Sequence, residues 1–265
     1  MASRLRYSLV DVFTDQPLQG NPLCVVLDPC PPELMQRVAR EANLSETTFP
    51  VKTGENSYEM RIFTPTMELP FAGHPSVGTA WLLGPGRWTQ TTTGGSVVVE
   101  ADERGAKMMQ PQPEFAPVER QADDVLSALG LASAEKIVRA TVGGTPHVLV
   151  ATAEPIENLD PDPGRVADVS RSCGAFTLVP FRALDESTLH ARVFASAAGI
   201  VEDPGSGSAA GPIGVLASDI WGTPANVTIT MGAEIGRPSQ LEVHIAEDIW
   251  VGGGVVMSAE GTFHV

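Results

Sequence analysis

Two stretches of this chain pass from a glycine-rich loop directly into a helix of small residues with almost no charge. The first runs from Glu68 to Ala80 and the second from Val201 to Pro212. A helix with no polar face has no side to give to water, so the rest of the fold must wrap it. Glycine also lets backbone approach a ligand closely, and a helix start presents unpaired N–H groups with positive partial charge. Each loop is therefore a candidate site for a carboxylate or a phosphate. Each carries one titratable group, His74 or Asp203. Two anion sites equipped with acid/base groups point to an enzyme acting on a small molecule.

The surrounding sequence supplies the wrapping. Tyr7 to Phe13 alternates as a strand, Gly20-Asn21-Pro22 is a turn, and Leu23 to Leu27 is a buried strand,. Pro31-Pro32-Glu33 opens a helix with Leu34, Met35, Val38, Ala39 and Ala42 on its apolar face,. Tyr58 to Thr64 is a further strand, Pro75 to Leu83 a short helix, and strands follow around Val97–Glu100 and Lys107–Met109. The order then recurs. Gly144 to Val150 echoes Gly20 to Val26, Arg192-Val193-Phe194 echoes Arg61-Ile62-Phe63, and Gly207 opens its helix as Gly73 does. The offsets of 124, 131 and 134 residues rise slowly, as two copies with different loop lengths would,. Short strands on both sides of one buried helix fit a sheet curled around it. They fit a doubly wound parallel sheet less well, because that needs a long crossover helix after each strand. The expectation is an α+β protein of two pseudo-symmetric halves, each a curled, mostly antiparallel sheet wrapped around a central helix. Residues 1–112 form the first half and residues 123–265 the second, with the chain end free to cross back to the first. The proline-rich stretch from Gln110 to Ala122 is the expected linker, and the two glycine loops face one another across a shared cleft,.

Composition narrows the partners. The formal net charge of −15 argues against nucleic acid and anionic membrane surfaces,. Cys24, Cys30 and Cys173 form no disulfide framework, and the five scattered histidines indicate no metal site,. The amino terminus enters an alternating apolar segment without a signal-peptide core, and no apolar run approaches the ~18 residues of a membrane span,. A cytoplasmic protein is expected.

Three residues could carry chemistry. Glu46, just past the first helix, is either a solvated turn residue or a general base held at the cleft,. Phe49 and Phe176, 127 residues apart, place Cys173 opposite Glu46, so the second copy lacks the acid. His74 is either a packing residue or a neutral imidazole at a helix start. Asp203 precedes Pro204-Gly205 and is either a turn or capping aspartate or a carboxylate that meets substrate or shares a proton with Glu46. Its neighbour Glu202 reads as solvated. Ser208 reads as a helix N-cap or a ligand donor. Gly205-x-Gly207-x-x-Ala210 follows no βαβ first strand, which argues against a dinucleotide site, and Ser206 and Ser208 make no nucleophile elbow,.

Together, Gly20-Asn21-Pro22, Asn43-Leu44-Ser45-Glu46-Thr47, Arg61-Ile62-Phe63-Thr64-Pro65, Glu68 to Pro75, Gly207 to Pro212 and Gly232 to Ser239 resemble the PhzF family of phenazine-biosynthesis isomerases. The resemblance spans nearly the whole chain. It implies a diaminopimelate epimerase-like fold, a homodimer, and a cofactor-independent, metal-free isomerisation of trans-2,3-dihydro-3-hydroxyanthranilate or a similar small carboxylate. It also implies a proton-shuttling role for Glu46, assisting roles for His74 and Asp203, and substrate contacts from Ser45, Gly73, Gly207 and Ser208. The second loop departs from the family in reading Asp-Pro-Gly-Ser-Gly-Ser where Ala-Thr is usual before Gly-Ser, and Ser206 keeps the hydroxyl. An amino-acid epimerase of the same fold would use one cysteine in each glycine loop, and neither loop has one. A binding protein that kept the fold and lost the chemistry is the other alternative.

Overall fold

The computed structural model describes residues 4–118 and 121–265. Strand β1 (Arg4–Val12) pairs antiparallel with β2 (Asn21–Val26). Helix α1 (Pro32–Ala42) starts on a proline, carries Glu33 in its first turn and stops at Asn43, which takes the left-handed conformation at φ 51°,. Its buried face is Met35, Val38 and Ala39. The chain returns as β3 (Glu46–Gly54), parallel to β2, and turns into the antiparallel β4 (Ser57–Phe63). The two-residue β5 (Glu68–Leu69) leads into α2 (Gly73–Leu83). Strand β6 (Gly86–Thr92) then lies parallel to β4, followed by antiparallel β7 (Gly95–Ala101) and β8 (Gly105–Gln110).

A second run of elements follows. Strand β9 (Glu114–Pro117) and helix α3 (Ala122–Leu129) precede β10 (Lys136–Val142), which pairs antiparallel with β11 (Thr145–Ala151). Helix α4 (Pro163–Ser172) crosses to β12 (Thr177–Ala183), parallel to β11. Strands β13 (Thr188–Ala191) and β14 (Val193–Ala195) run antiparallel to β12, and β15 (Ile200–Asp203) leads into α5 (Gly207–Trp221). Strand β16 (Asn226–Met231) lies parallel to β13, and β17 (Ser239–Ile245) and β18 (Ile249–His264) close the chain. The last strand pairs with β17 and β8 over its first residues and with β1 over the rest.

The segment from Gln110 to Ala122 is not simply a linker. Within it β9 pairs with β10 over residues 114–117, and Pro117 is tolerated because β9 is an edge strand,. Residues 119 and 120 of that segment lie outside the described residues. Helix α2 begins two residues earlier than the proline suggests, at Gly73, and α3 is an element that the apolar pattern did not reveal.

Helices α2 and α5 lie inside the sheet. Residues 73–80 of α2 are all buried, as are residues 207–214 of α5. Val77 and Ala80 share one core with Ala209, Ala210, Ile213, Leu216 and Ala217 and with strands from both runs. Burying α5 raises a backbone problem, because Pro212 has no N–H to give the Ser208 carbonyl one turn back. Gln110, at the end of β8, repairs it: its amide donates to Gly207 O at 3.0 Å and Ser208 O at 3.2 Å. A Cβ at Gly211 would lie 1.7 Å from Gln110 Oε1, so the Gly-Pro pair and the distant glutamine form one device. Among the described residues no helix is long and apolar enough to cross a membrane.

Candidate active site

The two buried helices meet head to head. A Cβ built on Gly73 would lie 2.5 Å from the Gly207 carbonyl carbon and the Ser208 nitrogen, and one on Gly207 would lie 3.0 Å from Gly73 backbone. Only glycine allows this approach from both sides. The N-cap residues are Ala72 and Ser206, and neither makes a side-chain capping bond. Two positive helix ends therefore converge with no capping side chain, an arrangement that favours an anion. Ser208 is the second residue of α5 and not its cap, so the capping reading of this serine is corrected. Its hydroxyl is 3.4 Å from that of Ser206.

Acid/base groups collect at the same place. Glu46 begins β3, His74 is the second residue of α2, and Asp203 ends β15. They are 9%, 2% and 8% exposed, so all three stand out of bulk water. His74 Nδ1 is 3.0 Å from Glu46 Oε2. Asn21, the first residue of β2, ties the site together. Its amide nitrogen donates to Asp203 Oδ1 at 2.7 Å and to Gly205 O at 2.9 Å, and sits 3.3 Å from His74 Nδ1. The two amide hydrogens of Asn21 go to Asp203 and Gly205, and the approach of His74 Nδ1 to Glu46 Oε2 is a close polar contact without hydrogen-bond alignment,. Asn21 had been read only as a turn residue. Its presence in the family-like Gly20-Asn21-Pro22 string was the available signal.

Burial pushes the Asp203 carboxyl up from 3.8 to about 6, and the nearby charge of Glu46 adds to the rise,. His74, the Asn21 amide and the Ser45 hydroxyl oppose it. The folded protein thus holds a proton on Asp203 at a pH where the unfolded chain has lost it. Stability is unpenalised below pH 4, falls as pH rises from about 4 to 6, and stays lowered above that. An Asp203→Asn protein is therefore expected to be more stable than wild type at pH 7.5, by up to about 3 kcal/mol, and equal to it near pH 4. Urea denaturation at the two pH values checks this, and a variant less stable at pH 7.5 refutes it.

Other residues are placed differently from expectation. Glu202 is not solvated: its side chain is 5% exposed and pairs with the buried Arg192 at 2.7 Å. Arg61 and Glu68 form the corresponding pair nearer the surface, also at 2.7 Å. Cys173 does not stand opposite Glu46. It caps α4 as Asn43 caps α1. In the first run Glu46 opens β3 beside Leu23 of β2, and in the second Thr177 opens β12 beside His147 of β11. Thr177 is the positional counterpart of Glu46, 131 residues on, because one more residue separates cap from strand in the second run. The second run still lacks the acid.

His147 was not singled out from sequence, although it lies in the segment that echoes residues 20–26. Burial pulls its imidazole down to about 4, so the ring is neutral. Its Nδ1 is 2.8 Å from Thr177 Oγ1. Glu46, Asp203, Ser206, Ser208, His147 and Thr177 line one cavity of about 50 Å³, along with the apolar Phe71 and Phe176. Among the described residues no lysine or arginine lines it. Among the described residues no cluster of three His, Cys, Asp or Glu side chains has metal-holding geometry.

The chain matches the model of the PhzC-PhzF family, phenazine biosynthesis-like proteins, over residues 10–261. It belongs to the PhzC-PhzF family. It is 37% identical over 254 residues to the trans-2,3-dihydro-3-hydroxyanthranilate isomerase of Pseudomonas fluorescens, covering 88% of this chain and 87% of that one. A PhzF family protein of Bacillus anthracis superposes with a TM-score of 0.86 at 25% identity, covering 99% of this chain and all of that one. A hydroxyproline epimerase of Agrobacterium vitis superposes at a TM-score of 0.66 and 10% identity over 99% of this chain and 93% of that one, a likeness of fold alone. This PhzC-PhzF protein is an isomerase with an epimerase-like fold.

Proposed function

We propose that this isomerase moves a proton between carbons of a small cyclic carboxylate, trans-2,3-dihydro-3-hydroxyanthranilate or a close relative, without a cofactor. The observation that carries the reading is the pair of buried carboxylates, Glu46 and Asp203, in one cavity with two uncapped, touching helix starts. In this reading residues 1–112 and 123–265 are two pseudo-symmetric halves, and each contributes one helix end and one acid. The protein acts as a homodimer in the cytoplasm.

The substrate carboxylate takes the first-turn N–H groups at Gly73 and at Gly207-Ser208, with the Ser45 and Ser208 hydroxyls beside it. Glu46 removes a proton from a ring carbon, and the C–H electron pair enters the π-system. The same carboxyl returns the proton to a second ring carbon as the double bonds shift, so composition is unchanged. His74, with Nδ1 at 3.0 Å from Glu46 Oε2, helps to position the Glu46 carboxyl. Asp203, held in place by the Asn21 amide, accepts a hydrogen bond from the substrate's amine or hydroxyl,.

Incubation with trans-2,3-dihydro-3-hydroxyanthranilate in D2O is the test. The expected result is a shifted double-bond system, with deuterium entering at ring carbon when the shuttled proton exchanges with solvent. A substrate recovered unchanged, with neither rearrangement nor label, refutes the reading.

A further inference from the structure

The proton-transfer scheme leaves one buried polar atom of the cavity unused. His147, 2% exposed, presents Nε2 with no hydrogen-bond partner among the described residues. Its position is built: β11 and β12 run parallel with His147 and Thr177 side by side, and the threonine hydroxyl holds Nδ1 at 2.8 Å. The hydroxyl has one hydrogen, and Nδ1 is the side-chain atom within reach of it. With the hydroxyl donating and Nδ1 accepting, both are satisfied, and the proton of the neutral ring then sits on Nε2.

We infer that His147 is a specificity-determining residue whose Nε2–H donates to an uncharged oxygen substituent of the substrate ring. The inference rests on the proposed isomerase reading for the identity of the ring. The electrostatics of the lining select the class of substituent. Among the described residues Glu46 and Asp203 are the acids of the cavity, and no lysine or arginine lines it to meet a second carboxylate. The helix ends serve one carboxylate and have none to spare for another. An ammonium group would face Nε2–H donor to donor, whereas a hydroxyl or carbonyl oxygen accepts from it. Burial keeps the imidazole uncharged at neutral pH, so it recognises by hydrogen bond and not by charge,. The apolar neighbours Phe71 and Phe176 leave few competing donors for that oxygen.

Calorimetric binding of 3-hydroxyanthranilate and of anthranilate to the full chain tests this without requiring turnover. Wild type is expected to prefer the hydroxylated ligand by about 10- to 100-fold. His147→Leu is expected to erase that preference by weakening 3-hydroxyanthranilate alone. His147→Gln, whose amide N–H reaches toward the same point, restores part of it. Should His147→Leu fail to fold, Thr177→Val, which releases Nδ1 and the tautomer, is expected to reduce the preference several-fold. Wild type that binds neither ligand or shows no preference overturns the inference, as does a variant that weakens both ligands equally. Failure of the isomerase reading shows separately, as absent rearrangement in D2O with the binding preference intact.

Discussion

A Glu46→Gln protein is expected to lose turnover by about 10^2- to 10^4-fold, the range spanned by positioned acid/base groups. The amide keeps the size of the side chain and can still meet His74, so the packing at the start of β3 is preserved. It cannot accept and return a carbon-bound proton. Removing the charge also relieves Asp203, whose carboxyl is pushed up partly by Glu46. The folded state is therefore expected to be at least as stable as wild type near neutral pH. Binding of 3-hydroxyanthranilate is expected to stay within a few-fold, because in the proposed binding mode its carboxylate meets the helix ends and not this acid. Initial rates and deuterium uptake measured on the same preparation decide the matter. Undiminished turnover removes Glu46 from the shuttle role, and lost binding alongside lost turnover would make the residue a ligand contact instead.

Gly73→Ala is expected to be the most damaging small substitution in the protein. Its new methyl would sit 2.5 Å from backbone atoms of Gly207 and Ser208, closer than any real carbon contact, and backbone has no rotamer to turn away. The helix starts must separate, at a cost of roughly 3 kcal/mol by comparison with overpacked cores. Separation also misplaces the N–H groups proposed to hold the substrate carboxylate. A shift of about 1 Å there is enough to lower kcat/KM by ~10^2-fold. Thermal unfolding and steady-state kinetics check both parts. Gly164→Ala in α4 is the control: its methyl meets only the capping Asp162 carboxylate at 3.2 Å, a side chain that can shift, and it is expected to cost no more than about 1 kcal/mol,. A Gly73→Ala protein as stable and active as wild type would show that the touching helix ends are not needed.

The residues with the strongest local signatures were readable in one dimension. A glycine before a helix of small residues announces both backbone approach and burial, and the charge-free stretches of α2 and α5 could only be interior. Glu46, His74 and Asp203 stood out as isolated titratable groups beside such features, and the structure brings all three together with Ser45, Gly73, Gly207 and Ser208. Pairings across the sheet had no such signature. Glu202 looked solvated because its partner Arg192 is ten residues away, between β13 and β14. The offset from Phe49 to Phe176 named Cys173 as the counterpart of Glu46, because one additional residue in the second connection shifts a count but not a strand register. Asn21 read as a turn because an asparagine before proline usually is one. Its amide becomes a site element through Asp203, 182 residues further on.

Local patterning thus specified the kinds of element, the two interior helices and the acids available for chemistry, since periodicity, glycine and charge act over a few neighbouring residues. Which groups share a proton, which imidazole faces the cavity and which glutamine repairs the bond missing at Pro212 were settled by the packing of strands far apart in the chain. Hydrogen bonds and charge interactions fall off within a few ångströms, so their partners are defined by distance in space, and sequence separation carries almost no information about that distance.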